Sequence, residues 1–346
     1  MLRYLSAGES HGKGILAILE GLPAGLRVEA ARINQELRRR QQGFGRGRRM
    51  QIEKDRAEII SGLKNNTTLG SPVSLLIRNK DFSIEKLKKV ISPRPGHADL
   101  AGFLKYGFSD IRGVLERASA RSTVATVAIG ALCKIFLSEF GVKLSSEVVA
   151  IGGATSDQAM REKIKEAIKA KDTVGGVFEV VAKGIPCGLG SYVHPDRRLD
   201  AQLAGSLMSI PGIKGVEVGL GFGYAEPFGS EVHDAIYYNK NKSYFHKTNN
   251  AGGIEGGISN GEDIVLNACM KPISTLMQPL DSVNIITKKS SQAATERSDV
   301  CVVEAAGVIA ESACAFVLSR AFLEKFGSDN LADIKQAWRA YLRRIK

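Results

Sequence analysis

Residues 119–140 read SARSTVATVAIGALCKIFLSEF, the longest apolar-rich stretch of the chain. Lys134, Ser138 and Glu139 interrupt it, so it falls short of the roughly 18 uninterrupted apolar residues that a membrane span needs. A segment this long and this apolar predicts a helix buried in a protein core.

On either side of this segment, helical patterns are separated by strand patterns. The helical patterns cover residues 28–40, 156–171, 199–210, 304–326 and 331–345. The strand patterns cover residues 51–60, 74–78, 176–183, 215–219 and 264–270. Helices and strands do not alternate strictly, so we predict an α+β fold rather than a doubly wound parallel sheet.

Several local features refine this outline. No repeat or linker divides the 346 residues, so we expect a single domain spanning 1–346. The polar stretch 238–250 is expected to be a mobile loop. Thr155 and Gln158 are spaced for a capping box at the start of the helix over 156–171.

Composition bounds the class of protein. The chain is 44% hydrophobic and 24% charged, which is ordinary for a globular protein. Its five cysteines form no CxxC pair, so we expect buried, reduced thiols and no metal site. The N-terminus lacks the pattern of a signal peptide, which favours a cytoplasmic protein with no membrane partner. The net charge of +12 fits either an anionic small molecule or a nucleic acid.

Two histidines lie in short glycine-containing segments. His11 belongs to GESHG at 8–12, and His97 belongs to RPGHAD at 94–99, where Asp99 is a candidate partner for its ring. Glycine lets the backbone approach a ligand, and histidine exchanges protons near neutral pH. The pattern therefore indicates acid–base chemistry, although a tight turn with a structural histidine explains each segment equally well.

An arginine run lies between these histidines. Residues 38–49 read RRRQQGFGRGRR. Arginines at the end of a helix are favoured by its dipole, which accounts for the first three. The others are typical of a site for carboxylate or phosphate. Arg/Gly runs also bind RNA, but only Phe44 supplies a stacking ring here, so we favour a small anionic ligand.

Further polar segments follow. RASAR at 117–121 precedes the long apolar helix, so Ser119 is a candidate N-cap and this helix start a candidate anion site, with Arg117 and Arg121 on one side of it. The stretches AGGIEGGISNG at 251–261 and KPIST at 271–275 suit a cofactor cradle, but neither matches a nucleotide fingerprint. Asp299 in RSD at 297–299 is a candidate helix cap or catalytic group.

Taken together with MSIPGIKGVE at 208–217, these segments resemble chorismate synthase over nearly the full chain. The resemblance implies an α+β sandwich of helices between antiparallel β-sheets, assembled as a homotetramer. It implies a lyase that converts 5-enolpyruvylshikimate 3-phosphate to chorismate and phosphate by an anti 1,4-elimination, with reduced FMN as an obligatory cofactor. The main alternative is a basic RNA-binding protein that uses the Arg/Gly run.

The resemblance also implies roles for individual residues. His11 would protonate the leaving phosphate, His97 would face the N1/C2 edge of the reduced flavin, and Asp299 would assist removal of the C6 proton. The substrate-binding residues would be Ser10, Arg39, Arg40, Arg46, Arg49, Arg117 and Arg121. The flavin-binding residues would be Arg117, Ala118, Ser119, Pro211, Gly212, Gly256, Lys271, Pro272, Ile273, Ser274, Thr275 and Arg297.

Some relatives reduce their own flavin. Arg40 and Arg46 match the positions associated with NADPH in the family. The chain shows no obvious large insertion of the kind that accompanies reductase activity, so we expect it to depend on an external reductant.

Overall fold

The computed structural model of the chain describes residues 1–47, 54–240, 243–296 and 298–345. Within them the first part of the chain builds a four-stranded antiparallel sheet in the order β1-β2-β6-β3. Its strands and the small hairpin inserted before β6 are β1 (Arg3–Ala7), β2 (Gly14–Glu20), β3 (Ala57–Ser61), β4 (Leu63–Lys64), β5 (Thr67–Thr68) and β6 (Val73–Arg78).

The second half builds another four-stranded antiparallel sheet, in the order β7-β8-β14-β9. Its strands are β7 (Lys143–Ile151), β8 (Gly176–Lys183), β9 (Ile213–Val218) and β14 (Ile264–Met270). Three small hairpins accompany it: β10 (Ile236–Asn239) with β11 (Ser243–His246), β12 (Ile254–Glu255) with β13 (Ile258–Ser259), and β15 (Asp281–Val283) with β16 (Ser290–Gln292).

Helices fill the space between the two sheets. In chain order the helices are α1 (Ala30–Gln41), α2 (Asp99–Tyr106), α3 (Arg112–Ala118), α4 (Thr123–Ser138), α5 (Asp157–Ala170), α6 (Leu199–Met208), α7 (Gly229–Val232), α8 (Val303–Phe326) and α9 (Leu331–Arg344). Helix α4 packs on β2 and β6, α8 packs on β7 and β8, and the two helices pack on each other. The predicted α+β sandwich of helices between antiparallel sheets is confirmed.

The core follows from this layering. Phe136 of α4 and Phe322 of α8 meet edge to face with ring centroids 5.8 Å apart, and Phe178 of β8 is fully buried in the same core. The stretches Arg112–Ser138 and Val303–Phe326 are long and apolar enough to cross a membrane, but 78% and 89% of their apolar windows are buried inside the protein. Core helices meet the same criterion, and these two lie in the core.

The apolar segment at 119–140 is helical over Thr123–Ser138, as predicted, but it starts later. A short 3-10 turn, Ala120–Ser122, comes first, and Ser119 caps that turn by accepting a hydrogen bond from the Arg121 backbone N–H at 3.2 Å. Ser119 is therefore not the N-cap of the long helix. The segment before it, α3, is a separate helix that the sequence pattern did not indicate.

Other expectations need correction. Ser156, rather than a Thr155–Gln158 box, caps α5 by accepting from the Ala159 N–H. The stretch 238–250 contains most of the β10–β11 hairpin rather than an irregular loop. All five cysteines are free thiols, but Cys187 and Cys269 are exposed. Residues 51–53 of the strand predicted at 51–60 lie outside the described residues.

Candidate active site

The connection between β1 and β2 carries His11 on a rigid backbone. Gly8 has a φ of +117°, and a Cβ there would lie 2.3 Å from the Gly14 carbonyl oxygen, so only glycine fits. Asn79, just after β6, donates its side-chain amide to the carbonyls of Glu9, Ser10 and Gly12 at 2.8–3.2 Å. One buried amide thereby fixes the segment that presents Ser10 and His11.

The imidazole of His11 lies against Glu116 of α3. Its Nδ1 is 2.9 Å from Glu116 Oε1, and its backbone N–H donates to Oε2 at 2.7 Å. Burial works to raise the pKa of Glu116, but the hydrogen bonds from His11 outweigh it and leave that pKa below its ordinary value. Ser119 Oγ donates to Ser10 Oγ at 3.2 Å, so 117–121 and 8–12 meet here.

Two buried arginines share one carboxylate beside this segment. Arg121 donates to Asp55 Oδ1 at 2.6 Å, and Arg40 lies 3.3 Å from Asp55 Oδ2. Burial and the repulsion of Arg121 and Arg46 outweigh the attraction of Asp55 and lower the pKa of Arg40 to about 10. Arg121 Nη2 is buried and has no hydrogen-bond partner within the described ranges. In this cationic cluster, Nη2 of Arg121 is the group that could donate a hydrogen bond to an anion.

The Arg/Gly run continues toward Asp299. Arg46 Nη1 lies 3.3 Å from Asp299 Oδ2, and the Gly47 N–H donates to Asp299 Oδ1. An open depression of about 540 Å³ is lined by 43–47 together with Gln41, Ile168, Ser298 and Val300. Asp299 does not cap α8, whose N-cap is Val302. Arg49 and Arg297 lie outside the described residues.

The turn at 94–97 is clamped by the segment at 271–275. Lys271 Nζ donates to the Gly96 carbonyl and to Ser274 Oγ, and Arg94 donates to Thr275 Oγ1 at 2.6 Å. Burial and the charge of Lys214 lower the pKa of Lys271. These contacts bring together two segments that are more than 170 residues apart in the chain.

His97 Nδ1 contacts the fully buried carboxylate of Asp99, which also accepts from Arg94 Nε at 2.9 Å. Burial opposes ionisation of Asp99, but hydrogen bonds from His97 and Arg94 hold the pKa of this carboxyl well below its usual range. Asp99 therefore stays ionised, and it orients the ring of His97.

Arg39 and Arg117 make structural contacts within the described residues. Arg39 donates to Glu311 at 2.7 and 2.8 Å and to Glu36, and the bond to Glu311 raises its pKa. Arg117 donates to the carbonyls of Ser6 and Gly8 at 3.1 Å. It is exposed whereas Arg121 is buried with Asp55, so these two do not lie on one side of a helix as expected. Ala118 is the last residue of α3.

The remaining predicted residues fall in two places. The Gly212 carbonyl accepts from the Lys271 N–H at 2.9 Å, which puts 211–212 beside the 271–275 segment. Pro211 also lines a small cavity of about 190 Å³ that Arg117 and Ser6 share. Gly256 turns the β12–β13 hairpin with a φ of +56° and open space around it, and no described contact joins it to His11.

Sequence reasoning missed four residues that hold this site together: Asn79, Asp55, Glu116 and Arg94. A sequence signal exists for two of them, since Asn79 follows the apolar strand β6 and Glu116 is adjacent to the candidate Arg117. For Asp55 and Arg94 no such signal exists, and the roles of all four depend on contacts across the fold. Among the described residues, no group of three or more His, Cys, Asp or Glu side chains is placed to hold a metal ion.

Known proteins share both the sequence and the architecture. The family model for chorismate synthase matches residues 2–323. A chorismate synthase of Caldanaerobacter subterraneus subsp. tengcongensis is 52% identical over 348 residues, covering 100% of this chain and 99% of that protein. One from Thermoanaerobacter pseudethanolicus is 51% identical with the same coverage. A crystal structure of chorismate synthase superposes with a TM-score of 0.83 at 41% identity, covering 99% of this chain and 98% of that chain.

Proposed function

The chain belongs to the chorismate synthase family, and we propose that the cluster around His11, Arg40 and Arg121 is its substrate site. The chain is accordingly a lyase of the shikimate pathway that forms chorismate. The alternative of an RNA-binding protein finds no support in these relatives. Residues 1–346 are proposed to act as one catalytic domain, since one continuous core joins both sheets.

The proposal rests on the buried guanidinium of Arg121. Its Nη2 has no hydrogen-bond partner in the described part of the chain, and leaving a buried donor without a hydrogen bond costs about 1–3 kcal/mol of stability. Among the residues that the structure describes, Asp55 is the one carboxylate paired with Arg40 and Arg121, so two guanidinium groups face one negative charge. A phosphate or carboxylate of 5-enolpyruvylshikimate 3-phosphate would satisfy both the donor and the charge.

His11 acts as the general acid in this proposal. The leaving oxygen gains negative charge as its bond to carbon breaks, and a proton from the imidazole neutralises that charge. Ser10, adjacent to His11 in the chain, and Ser119, which donates to the Ser10 hydroxyl, contribute hydroxyl groups. Asp299, which lies 3.3 Å from Arg46, assists removal of the C6 proton of the substrate.

The residues present fit a reduced flavin mononucleotide. The buried Nε of Arg46, which has no hydrogen-bond partner among the described residues, suits an anionic group, and the clamped segments 94–97 and 271–275 offer backbone and side-chain donors close together. We propose that 117–119, 211–212, 256, 271–275 and 297 hold the flavin and that His97 sets the protonation of its edge. Reduced flavin, when bound, supplies electron density to the substrate as phosphate departs.

Reduction and assembly complete the proposal. Arg40 is 4% exposed and held by Asp55 and Thr123, so it offers little surface to NADPH, and the flavin is proposed to be reduced by an external donor.

Leu5, Leu16 and Ile18 form an exposed apolar patch on the outer face of the first sheet, which supports a homotetramer. A cytoplasmic location is proposed with it.

Replacing either histidine tests the assignment. His11→Ala and His97→Ala should each fold normally and lose at least about 100-fold in turnover, the usual range for general acid–base groups. Turnover is followed anaerobically with reduced FMN, and circular dichroism reports folding. His194→Ala, which removes an exposed histidine paired only with Asp196 in the described structure, is the matched control. Near-wild-type turnover in both variants would refute the acid–base role of His11 and the flavin role of His97.

A further inference from the structure

Glu116 is a buried carboxylate that the roles above leave unused. It is 4% exposed near the end of α3. Burying a charged carboxylate is costly unless partners compensate it, so the contacts of such a residue show what it is kept for. The contacts that Glu116 makes converge on Ser10 and His11.

Three contacts join residue 116 to this segment. Its carbonyl accepts from the Ser10 N–H at 2.9 Å. Its Oε2 accepts from the His11 N–H at 2.7 Å, and its Oε1 lies 2.9 Å from His11 Nδ1. One carboxylate thus holds both the backbone and the ring of the same histidine. A merely structural anchor would need only the backbone contacts.

An ionised carboxylate can accept hydrogen bonds but cannot donate them, so Nδ1 of His11 must carry a hydrogen. In the neutral ring the other nitrogen, Nε2, is then the one that gains or loses a proton. It lies on the opposite side of the ring, 3.9 Å from Asp81 Oδ2.

We propose that Glu116 is a positioning residue that fixes the tautomer and orientation of His11 and makes Nε2 the proton-exchanging atom. The inference rests on the proposed role of His11. As the carbon–oxygen bond breaks, its electron pair stays on the phosphate oxygen, which takes the proton from Nε2. The ring becomes neutral and keeps the hydrogen on Nδ1.

Glu116→Gln is the variant that tests this. Glutamine has nearly the same shape, and Val114, Leu115 and the Arg112–Glu296 pair at 2.6 Å still anchor α3. Its amide keeps one acceptor oxygen where the carboxylate has two, so the separate acceptors that lie 2.7 Å from the His11 backbone N and 2.9 Å from Nδ1 cannot both be retained. Glu139→Gln, which removes an exposed carboxylate paired with Lys335, is the matched control.

The first readout is the tautomer of His11, measured by nitrogen NMR on protein labelled at histidine, with His11→Ala used to assign the signal. The wild-type ring should be mainly the Nδ1–H form when neutral, and Glu116→Gln should shift it toward Nε2–H. A wild-type ring that is mainly Nε2–H, or no shift in the variant, would overturn the proposal. The wild-type measurement decides even if the variant does not fold.

The second readout is turnover with reduced FMN. Glu116→Gln should lower kcat by about 10- to 100-fold, part of what a general acid supplies, while KM changes little. The same substitution in a His11→Ala background should cost nothing further, because Glu116 acts through His11. An equal loss in both backgrounds would overturn the proposal. Full activity of His11→Ala would instead refute the proton role of His11, which the tautomer measurement does not assume.

Discussion

Arg121 shows how one residue connects the fold to the chemistry. It lies in the 3-10 turn at the start of α4 and reaches both Asp55 and Asn79, at 2.6 and 2.8 Å. Asn79 in turn holds the segment that carries His11. The same guanidinium therefore neutralises a buried carboxylate and orders the amide that shapes the site, while its Nη2 has no partner among the described residues.

Removing that donor should weaken substrate binding. Arg121→Gln is expected to raise the dissociation constant of 5-enolpyruvylshikimate 3-phosphate by about 10- to 100-fold, since a hydrogen bond to a charged group contributes roughly 1.5–3 kcal/mol. Calorimetric titration measures it. Arg78→Gln, which removes a surface arginine paired with Glu58, should bind as the wild type does. Unchanged affinity in a folded Arg121→Gln protein would contradict the anion site.

Asp99 makes the stability of the protein depend on pH. Its pKa in the folded chain is held below the ordinary value of 3.8 by His97 and Arg94, so the folded state binds fewer protons than the unfolded state. Its contribution is complete above about pH 4 and is lost as the pH falls toward the folded-state pKa. The melting temperature should therefore fall more steeply between about pH 4 and pH 2 in the wild type than in Asp99→Asn.

Asp99→Asn should also be less stable at neutral pH by about 3 kcal/mol, since it leaves the buried Arg94 without its carboxylate. Differential scanning calorimetry gives both quantities. Parallel curves for the two proteins between about pH 4 and pH 2 would show that the Asp99 carboxyl does not supply the pH dependence.

At the scale of elements, the crossing of α4 and α8 sets the spacing of the helical layer. Gly130 lies in α4 directly against Ser312 of α8, and a Cβ at Gly130 would lie 2.2 Å from the Ser312 Cβ and 2.4 Å from its Cα. No side chain fits there without moving one helix. The close approach explains why a glycine interrupts an otherwise apolar helix.

Gly130→Ala should destabilise the protein by about 1–3 kcal/mol, as overpacking of a dense core does. Gly205→Ala is the matched control, because Gly205 lies in α6 with open space at its Cβ. There alanine should stabilise the helix by up to about 1 kcal/mol. Chemical denaturation measures both. Equal effects of the two substitutions would contradict the close crossing.

Periodic elements were predicted well from the sequence. The strands over Gly176–Lys183 and Ile264–Met270 have the predicted ends, because alternating burial leaves a clear pattern. Strand β1 was missed, since almost all of its residues are exposed at a sheet edge and show no alternation. Strand β7 was not predicted either. Its residues alternate between partly buried and exposed, and none is fully buried before Ile151.

The site itself was predictable only in part. Glycine and arginine segments are visible in sequence, and the clamp between 94–97 and 271–275 joins two of them. The sequence does not indicate which of the arginines is available to bind a ligand. Arg39 and Arg40 are adjacent, yet Arg39 binds Glu311 and Glu36 whereas Arg40 joins Arg121 at Asp55. Those partners come from other parts of the fold, and local patterns do not contain them.

Across the whole molecule, the two sheets and the helices between them hold the segments of the site in place. The first sheet supplies His11 and Asn79, the helical layer supplies Glu116 and Arg121, and the second sheet leads into Lys271.

We propose that this chain eliminates phosphate from 5-enolpyruvylshikimate 3-phosphate with reduced flavin as a catalyst. An anaerobic assay with chemically reduced FMN that follows chorismate and phosphate together tests this reaction. We predict equal amounts of the two products, many turnovers per flavin, and no product with oxidised FMN. Folded protein that binds reduced FMN and substrate but releases neither product would contradict the claim.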